Sequence, residues 1–126
     1  MQGIHPGSST GTILLLDDEF AILETSKMML ELLGYTVTGL TSAQMAIKTL
    51  QESQAFDLIL TDLDMPDMDG REFAREARKL VNGIPVVVVS GYVLDEEEWS
   101  TDFDGILTKP FRVQDLKSKV DEFIVN

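Results

Sequence analysis

The sequence contains no cysteine, which excludes disulfide bonds and metal sites built on thiolates. Histidine is nearly absent too: His5 is the only one, and it lies in the Gly-, Ser- and Pro-rich stretch MQGIHPGSSTG. We assign it no catalytic role. Apolar runs such as TILLL and IPVVVV are far shorter than the ~20 residues of a membrane-spanning helix, and we find no secretory signal. These features predict a cytoplasmic protein with no membrane insertion.

Positive charge is also scarce in this chain. It has 10 lysine and arginine residues against 22 aspartate and glutamate residues, so its net charge is −12. Such a surface repels phosphate backbones and anionic lipids, and direct nucleic-acid binding is therefore not expected. An acidic surface suits cations and basic patches on partner proteins.

The length of 126 residues fits a single compact domain. A chain of this size can bury roughly two thirds of its unfolded surface, enough for a core of its own. Residues 1–11 lack hydrophobic periodicity and are predicted to form a disordered tail. Residues 12–126 are predicted to form the folded domain.

Apolar runs alternate with amphipathic segments five times along this domain. The predicted strands are TILLL, YTVTGL, FDLILTD, IPVVVVS and GILTK. TILLL is a continuous apolar run, typical of a strand buried on both faces, whereas YTVTGL alternates. Five helices are predicted between and after these strands. The first ends at Gly34, and the second runs from a cap at Thr41 or Ser42 to about Ser53. The third spans residues 71–80, the fourth is a short helix that begins in DEEEW, and the fifth spans residues 114–125. This alternation predicts parallel strands joined by crossover helices on both faces of the sheet.

Polar residues stand where four of these strands end. Because ligands bind at the carboxyl ends of parallel strands, we expect these side chains to converge on one rim. The first strand leads into Asp17 and Asp18, the third ends at Asp62, the fourth at Ser90 and the fifth at Lys109.

Three clustered carboxylates repel one another, and a divalent cation relieves that repulsion. An all-oxygen set completed by water suits Mg²⁺. With a hydroxyl and a lysine beside it, such a set suits a phosphoryl group, which a carboxylate can attack as a nucleophile. The plainer interpretation is an acidic loop cluster that is merely solvated.

The motifs ILLLDDE, DLILTDLDMPDMDG, VVVVSGY and LTKPF closely resemble, in order and spacing, those of the receiver domain of two-component response regulators and hybrid histidine kinases. The resemblance covers residues 12–125. It implies a flavodoxin-like, doubly wound α/β fold with a five-stranded parallel sheet in the order 2-1-3-4-5 and five helices. It also implies that a histidine kinase or phosphotransfer protein phosphorylates the domain, which then switches conformation for signalling.

The resemblance implies a role for each strand-end residue. Asp62 would be the phosphoacceptor, and Ser90 and Lys109 would bind the phosphoryl oxygens. Mg²⁺, or Mn²⁺ in its place, would be held by Asp17, Asp18, Asp62 and the backbone carbonyl of Asp64, and the Lys109–Pro110 peptide bond would be cis. The domain would then be no enzyme in the usual sense, since it would catalyse only its own phosphorylation and dephosphorylation. A homodimer is compatible with this interpretation.

The sequence departs from the family pattern in the segment before Lys109. Where the family often has an aromatic residue three positions before the lysine, this chain has Ile106. Tyr92, two residues after Ser90, is a candidate replacement. The segment is also short, so the fourth helix is predicted to be brief. In the acidic loop, Asp67 and Asp69 are predicted to set the turn and cap the next helix rather than bind metal.

Three other functions fit parts of the sequence. LILTDLDMP also resembles the nucleophile motif of haloacid-dehalogenase-type phosphatases, with Asp64 as general acid to the Asp62 nucleophile, but that motif normally lies on the first strand. A flavodoxin-like flavin carrier would need phosphate-binding donors after the first strand, where DDEF repels phosphate. A pseudo-receiver that binds partners without phosphorylation is disfavoured because every chemical position is filled.

Overall fold

The computed structural model describes residues 11–53 and 55–124. Its strands are β1 (Thr12–Leu16), β2 (Thr36–Leu40), β3 (Leu58–Asp62), β4 (Val86–Ser90) and β5 (Gly105–Thr108). Its helices are α1 (Phe20–Leu32), α2 (Ala43–Glu52), α3 (Gly70–Leu80), α4 (Glu96–Trp99) and α5 (Val113–Asp121). The predicted tail, apart from Gly11, lies outside the described residues. No helix within the described ranges is long and apolar enough to cross a membrane.

The five strands form one parallel sheet in the order β2-β1-β3-β4-β5. Leu14 in the middle of β1 pairs with Thr38 of β2 on one side and with Ile59 of β3 on the other. The chain thus moves outward from β1 to β2 and returns to the far side of β1, so the strand order reverses between β1 and β3. This confirms the predicted doubly wound fold and places the switch point of the sheet beside Asp62.

The core lies on both faces of this sheet. Alternate strand residues point in opposite directions, so Leu14 and Val88 pack toward α2 and α3, while Ile13 and Val87 pack toward α1 and α5. All four side chains are fully buried. Burial on both faces explains why β1, β3 and β4 are nearly continuous apolar runs, whereas the edge strand β2 alternates and is only partly buried.

Gly34 ends α1 as predicted. Its φ is +102°, a conformation that residues with a Cβ rarely adopt. The Gly34 N–H donates to the Glu31 carbonyl, and the Tyr35 N–H donates to the Leu30 carbonyl. This pair of hydrogen bonds satisfies the last carbonyls of the helix and turns the chain into β2.

The two aspartates of the acidic loop cap different helices. Asp69 caps α3 by accepting a hydrogen bond from the Arg71 N–H at 2.7 Å, as predicted. Asp67 instead caps α2, accepting from the Gln44 N–H at 3.0 Å and from the hydroxyl of Ser42 at 2.9 Å. The prediction that Asp67 caps the next helix is therefore wrong, because packing brings the loop after β3 against the start of the preceding helix.

The segment between β4 and β5 contains only the four-residue α4, which confirms the predicted brief helix. Ion pairs from α3 hold the chain that follows it. Arg75 donates to the buried Asp102 at 2.9 Å, and Arg78 donates to Asp104 at 2.9 Å. These contacts fix the entry to β5 although α4 is too short to bury a full apolar face.

The last helix is shorter than predicted. It ends at Asp121, whereas the amphipathic pattern extended to Val125, which is outside the described residues. The N–H groups of Phe123 and Ile124 both donate to the Val120 carbonyl, so the helix closes in a tight turn. Ile124 is nevertheless buried, and its side chain packs in the core on the α1–α5 side of the sheet.

Candidate functional site

The strand ends that carry polar residues meet at one edge of the sheet and form a cleft of about 290 Å³. The loops after β1, β3 and β4 and the end of β5 build its walls. Its lining includes Asp18, Asp62, Asp64, Ser90, Tyr92 and Lys109. Parallel strands produce this convergence, because all of their carboxyl ends lie at the same edge.

Lys109 lies between two carboxylates. Its Nζ is 3.2 Å from Oδ1 of Asp62 and 3.3 Å from Oδ2 of Asp17. Burial alone would lower the pKa of Lys109, but the charges of Asp62 and Asp17 outweigh it and raise the pKa. The ammonium group is therefore a fixed positive charge facing the end of β3.

The positive charge of Lys109 does not fully stabilise the ionised form of Asp62. Burial, followed by the charge of Asp17, raises the pKa of Asp62 from 3.8 to about 7. Lys109 acts in the opposite direction, and the nearby Asp18 adds to the rise. A cation bound at this point would lower the energy of the ionised carboxylate.

The carboxylates of Asp17, Asp18 and Asp62 fit a divalent metal ion. One oxygen from each lies within 4.8 Å of the others. Asp17 is buried, and its oxygens accept hydrogen bonds from the Glu19 N–H at 2.9 Å and from Lys109. Asp18 is exposed to the cleft. An oxygen-only donor set with an open, hydrated side suits Mg²⁺.

Ser90 is buried at the end of β4, where its hydroxyl forms two hydrogen bonds with the same residue. The Ser90 hydroxyl donates to the Tyr92 carbonyl at 2.8 Å, and Ser90 Oγ accepts from the Tyr92 N–H at 3.2 Å. To donate to a ligand in the cleft, the hydroxyl must leave the Tyr92 carbonyl.

Two residues near the site required the structure for their interpretation. Ile106 is partly buried and packs against the core on the α2–α3 side of the sheet. The Tyr92 hydroxyl donates a hydrogen bond to the Asp64 carboxylate across the cleft. This contact joins loops 28 positions apart in the sequence, so no local pattern indicates it.

The Lys109–Pro110 peptide bond is cis, as the resemblance implies.

This architecture defines a doubly wound α/β domain whose switch-point cleft has a carboxylate cluster that could hold a cation. Residues 13–121 match the response regulator receiver domain family, and the chain belongs to this family of two-component signalling domains. The family and the fold class predicted from the sequence are thereby confirmed. Nothing in the matches supports the phosphatase alternative.

Relatives of two kinds match the chain. The response regulator receiver protein CpdR of Brucella abortus is 31% identical over 116 residues, covering 90% of this chain and 96% of CpdR. The sensor kinase CckA of the same species is 34% identical over 121 residues, covering 93% of this chain but only 13% of the kinase. The chain thus spans nearly all of one relative and a small part of the other.

A solved structure with the same fold also bears on the metal site. The receiver domain of the sensor histidine kinase PA1611 from Pseudomonas aeruginosa superimposes with a TM-score of 0.83 at 27% identity, covering 94% of this chain and all of that chain. That domain carries a magnesium ion coordinated in its active-site cleft.

Proposed function

We propose that Asp62 accepts a phosphoryl group from a phosphohistidine on a histidine kinase or phosphotransfer protein. The position of Asp62 carries this proposal: it ends β3 in an open cleft, 3.2 Å from Lys109 and beside Asp17 and Asp18. Asp17 is also paired with Lys109, but it is buried, whereas Asp62 lines the cleft and is the lysine-paired carboxylate that a phosphoryl group can reach.

In the transfer, an oxygen of Asp62 attacks phosphorus and the phosphorus–nitrogen bond breaks. The electron pair of that bond leaves with the imidazole nitrogen. The Asp62 oxygen loses its negative charge when it bonds to phosphorus. Lys109, which pairs with Asp62 before the transfer, would then bind a phosphoryl oxygen instead. The Ser90 hydroxyl shifts its donation from the Tyr92 carbonyl to another phosphoryl oxygen, which changes the loop after β4 and produces the signalling switch.

Asp17, Asp18, Asp62 and the backbone carbonyl of Asp64 would hold Mg²⁺, with Mn²⁺ as an alternative. When bound there, the ion supplies positive charge that offsets the carboxylates and the phosphoryl oxygens. The oxygen-only cluster supports this part of the proposal.

Family membership also supports a proposal for the location, extent and partners of the domain. The domain acts in the cytoplasm, spans residues 12–126, and catalyses only its own phosphorylation and dephosphorylation. Its net charge of −12 favours a basic docking surface on the kinase and disfavours nucleic acid. A homodimer is compatible with this role.

Intact-mass spectrometry tests the phosphoacceptor. After incubation with acetyl phosphate and Mg²⁺, the wild-type protein should gain a single phosphoryl group, and chelation of the metal should prevent the gain. Asp62→Asn should gain none. Asp57→Asn is the matched control, because Asp57 precedes the other end of β3 and accepts a hydrogen bond from the Thr12 N–H. It should be labelled like the wild type.

Persistent labelling of Asp62→Asn would overturn the assignment. Repeated turnover of a phosphomonoester such as p-nitrophenyl phosphate would favour the phosphatase alternative instead.

A further inference from the structure

Asparagine and aspartate residues that precede a glycine can rearrange without an enzyme. The backbone nitrogen of the glycine attacks the side-chain carbonyl carbon before it, and glycine permits this attack because it has no Cβ to obstruct it. The sequence contains three such pairs, Asp69–Gly70, Asn82–Gly83 and Asp104–Gly105. The structure decides which of the three pairs is free to react.

The first pair is held by hydrogen bonds at the start of α3. The Asp69 carboxylate accepts from the Arg71 N–H at 2.7 Å, and the Gly70 N–H donates to the Leu63 carbonyl at 2.8 Å. Gly70 is also buried. The side chain and the glycine nitrogen of this pair cannot meet unless both hydrogen bonds break.

The third pair is held at the entry to β5. One carboxylate oxygen of Asp104 accepts from Arg78 at 2.9 Å and from the Val86 N–H at 2.8 Å. Gly105 is buried in β5, where a Cβ would lie 3.1 Å from the ring of Phe123. Packing and hydrogen bonding therefore protect this pair as well.

Asn82 and Gly83 lie in an exposed turn between α3 and β4. The Ile84 N–H donates to the Val81 carbonyl at 3.2 Å and closes the turn around them. Gly83 has a φ of +80°, and a Cβ placed on it would meet no atom within 4 Å. The turn is therefore open to water on the side of the glycine.

The two reacting groups of this pair are unrestrained. Among residues 11–53 and 55–124, no group forms a hydrogen bond with the Asn82 side-chain amide or with the Gly83 N–H. The amide can therefore rotate toward the glycine nitrogen without losing a contact. The pair differs from the other two in every respect that controls the attack.

We propose that Asn82 is a site of spontaneous deamidation, which converts it to aspartate or isoaspartate as the protein ages. The Gly83 nitrogen loses its proton to solvent and bonds to Cγ of Asn82, and the bond between Cγ and Nδ2 breaks. Nδ2 leaves as ammonia with a proton from solvent, and a cyclic succinimide remains. A water molecule then opens the ring at either carbonyl, so water is the only reactant consumed.

Either product changes the connection that leads into β4. A carboxylate at position 82 adds negative charge just after α3 ends at Leu80, where the last helix carbonyls already carry partial negative charge. Isoaspartate also adds a carbon atom to the main chain between the Val81 carbonyl and the N–H of the buried Ile84. The hydrogen bond that closes the turn then spans a longer loop.

Peptide mapping by mass spectrometry tests the site after incubation at mildly alkaline pH. Asp69→Asn is the matched control, because it creates a second Asn–Gly pair where the structure holds both groups, and asparagine still caps the helix. In the folded variant, position 82 should react at least about tenfold faster than position 69, the scale of freedom that one restrained residue loses. In guanidinium chloride the two positions should react at similar rates.

Asn82→Gln is the control for the chemistry at position 82. Its longer side chain disfavours closure of the ring, so the peptide that contains position 82 should keep its mass over the same period. Conversion of the wild-type peptide at the same rate as this variant would overturn the inference.

Two further results would overturn it. One is a similar rate at positions 69 and 82 in the folded Asp69→Asn variant, because the structure would then not select the site. The other is a rate at Asn82 of the folded wild type that is more than about tenfold below its rate in denaturant, since the turn would then protect it. Neither result bears on phosphorylation of Asp62, so the function proposed above is tested separately.

Discussion

At the residue scale, the three clustered carboxylates have different surroundings although two of them are neighbours in sequence. Asp17 points inward and accepts hydrogen bonds from Glu19 and Lys109, whereas Asp18 is exposed to the cleft. Successive residues leaving a strand point in opposite directions, which accounts for the difference. Asp18 thus has more freedom to bind an ion directly, whereas the oxygens of Asp17 already accept hydrogen bonds from protein groups.

This difference predicts unequal effects on Mg²⁺ binding. Asp18→Asn should weaken Mg²⁺ binding by about tenfold or more, which corresponds to at least about 1.4 kcal/mol. Asp17→Asn should weaken it less, since the oxygens of Asp17 already have protein donors. Calorimetric titration of Mg²⁺ into each variant and into Asp57→Asn gives the comparison. Equal losses, or a larger loss at Asp17, would contradict this ranking.

At the scale of elements, the junction between β3 and α3 sets the shape of the loop that follows Asp62. The Gly70 N–H donates to the Leu63 carbonyl at 2.8 Å, so the first residue of α3 lies against the end of β3. A Cβ on Gly70 would lie 2.5 Å from the Asp62 carbonyl oxygen and 2.8 Å from that of Leu63. Backbone atoms cannot yield as a flexible side chain can, so the loop requires glycine here.

Gly70→Ala should therefore disturb both stability and the site. We expect a loss of about 1–3 kcal/mol in the free energy of unfolding, the scale of overpacking in a tight site, and weaker labelling by acetyl phosphate. Gly91→Ala is the control for stability, because a Cβ there meets no atom within 4 Å. Its φ is not positive, so it should change stability by less than about 1 kcal/mol. Urea denaturation measures the free energy of unfolding of both variants. Similar losses in Gly70→Ala and Gly91→Ala would contradict the explanation.

At the scale of the whole molecule, the cleft reduces the stability of the metal-free protein at neutral pH. The pKa of Asp62 is about 7 in the folded state, against an ordinary value of 3.8. Between these values the folded state holds a proton that the unfolded state has lost, so the contribution of Asp62 to stability falls as pH rises. The destabilisation is complete above pH 7 and absent below about pH 4.

Asp62→Asn should consequently be more stable than the wild type at pH 8 without metal. The full shift would correspond to about 4 kcal/mol, but water reaches the cleft and screens the charges, so we expect about 1–2 kcal/mol. The difference should shrink toward pH 4, and Mg²⁺ at pH 8 should stabilise the wild type more than the variant.

Urea denaturation at pH 5 and pH 8, with a chelator and then with Mg²⁺, measures this difference. Glu76→Gln removes an exposed carboxylate that pairs with Lys79 on α3, and it should change stability little at either pH. The prediction would be contradicted if Asp62→Asn were no more stable than the wild type at pH 8, or if its gain in stability were larger at pH 5.

The sequence by itself determined the fold and the edge of the sheet at which the site lies. Five short strand patterns alternating with amphipathic segments predicted a parallel sheet covered by helices on both faces, and the motifs shared with receiver domains implied its doubly wound strand order. Because parallel strands share one carboxyl edge, the places of Asp62 and Lys109 in their strands were enough to bring them together. Strand and helix ends were less well determined, as the extension of α5 to Val125 illustrates, since apolar spacing continues where the hydrogen bonding of the helix stops.

Only the tertiary structure decided which polar groups pair. Asp67 caps α2 rather than α3, Tyr92 donates to Asp64, and Lys109 contacts Asp17 at a separation of 92 positions. Each contact depends on how two distant loops lie after the core has packed. Hydrophobic periodicity specifies which face of an element is buried, but it carries no information about the distance between side chains on different loops.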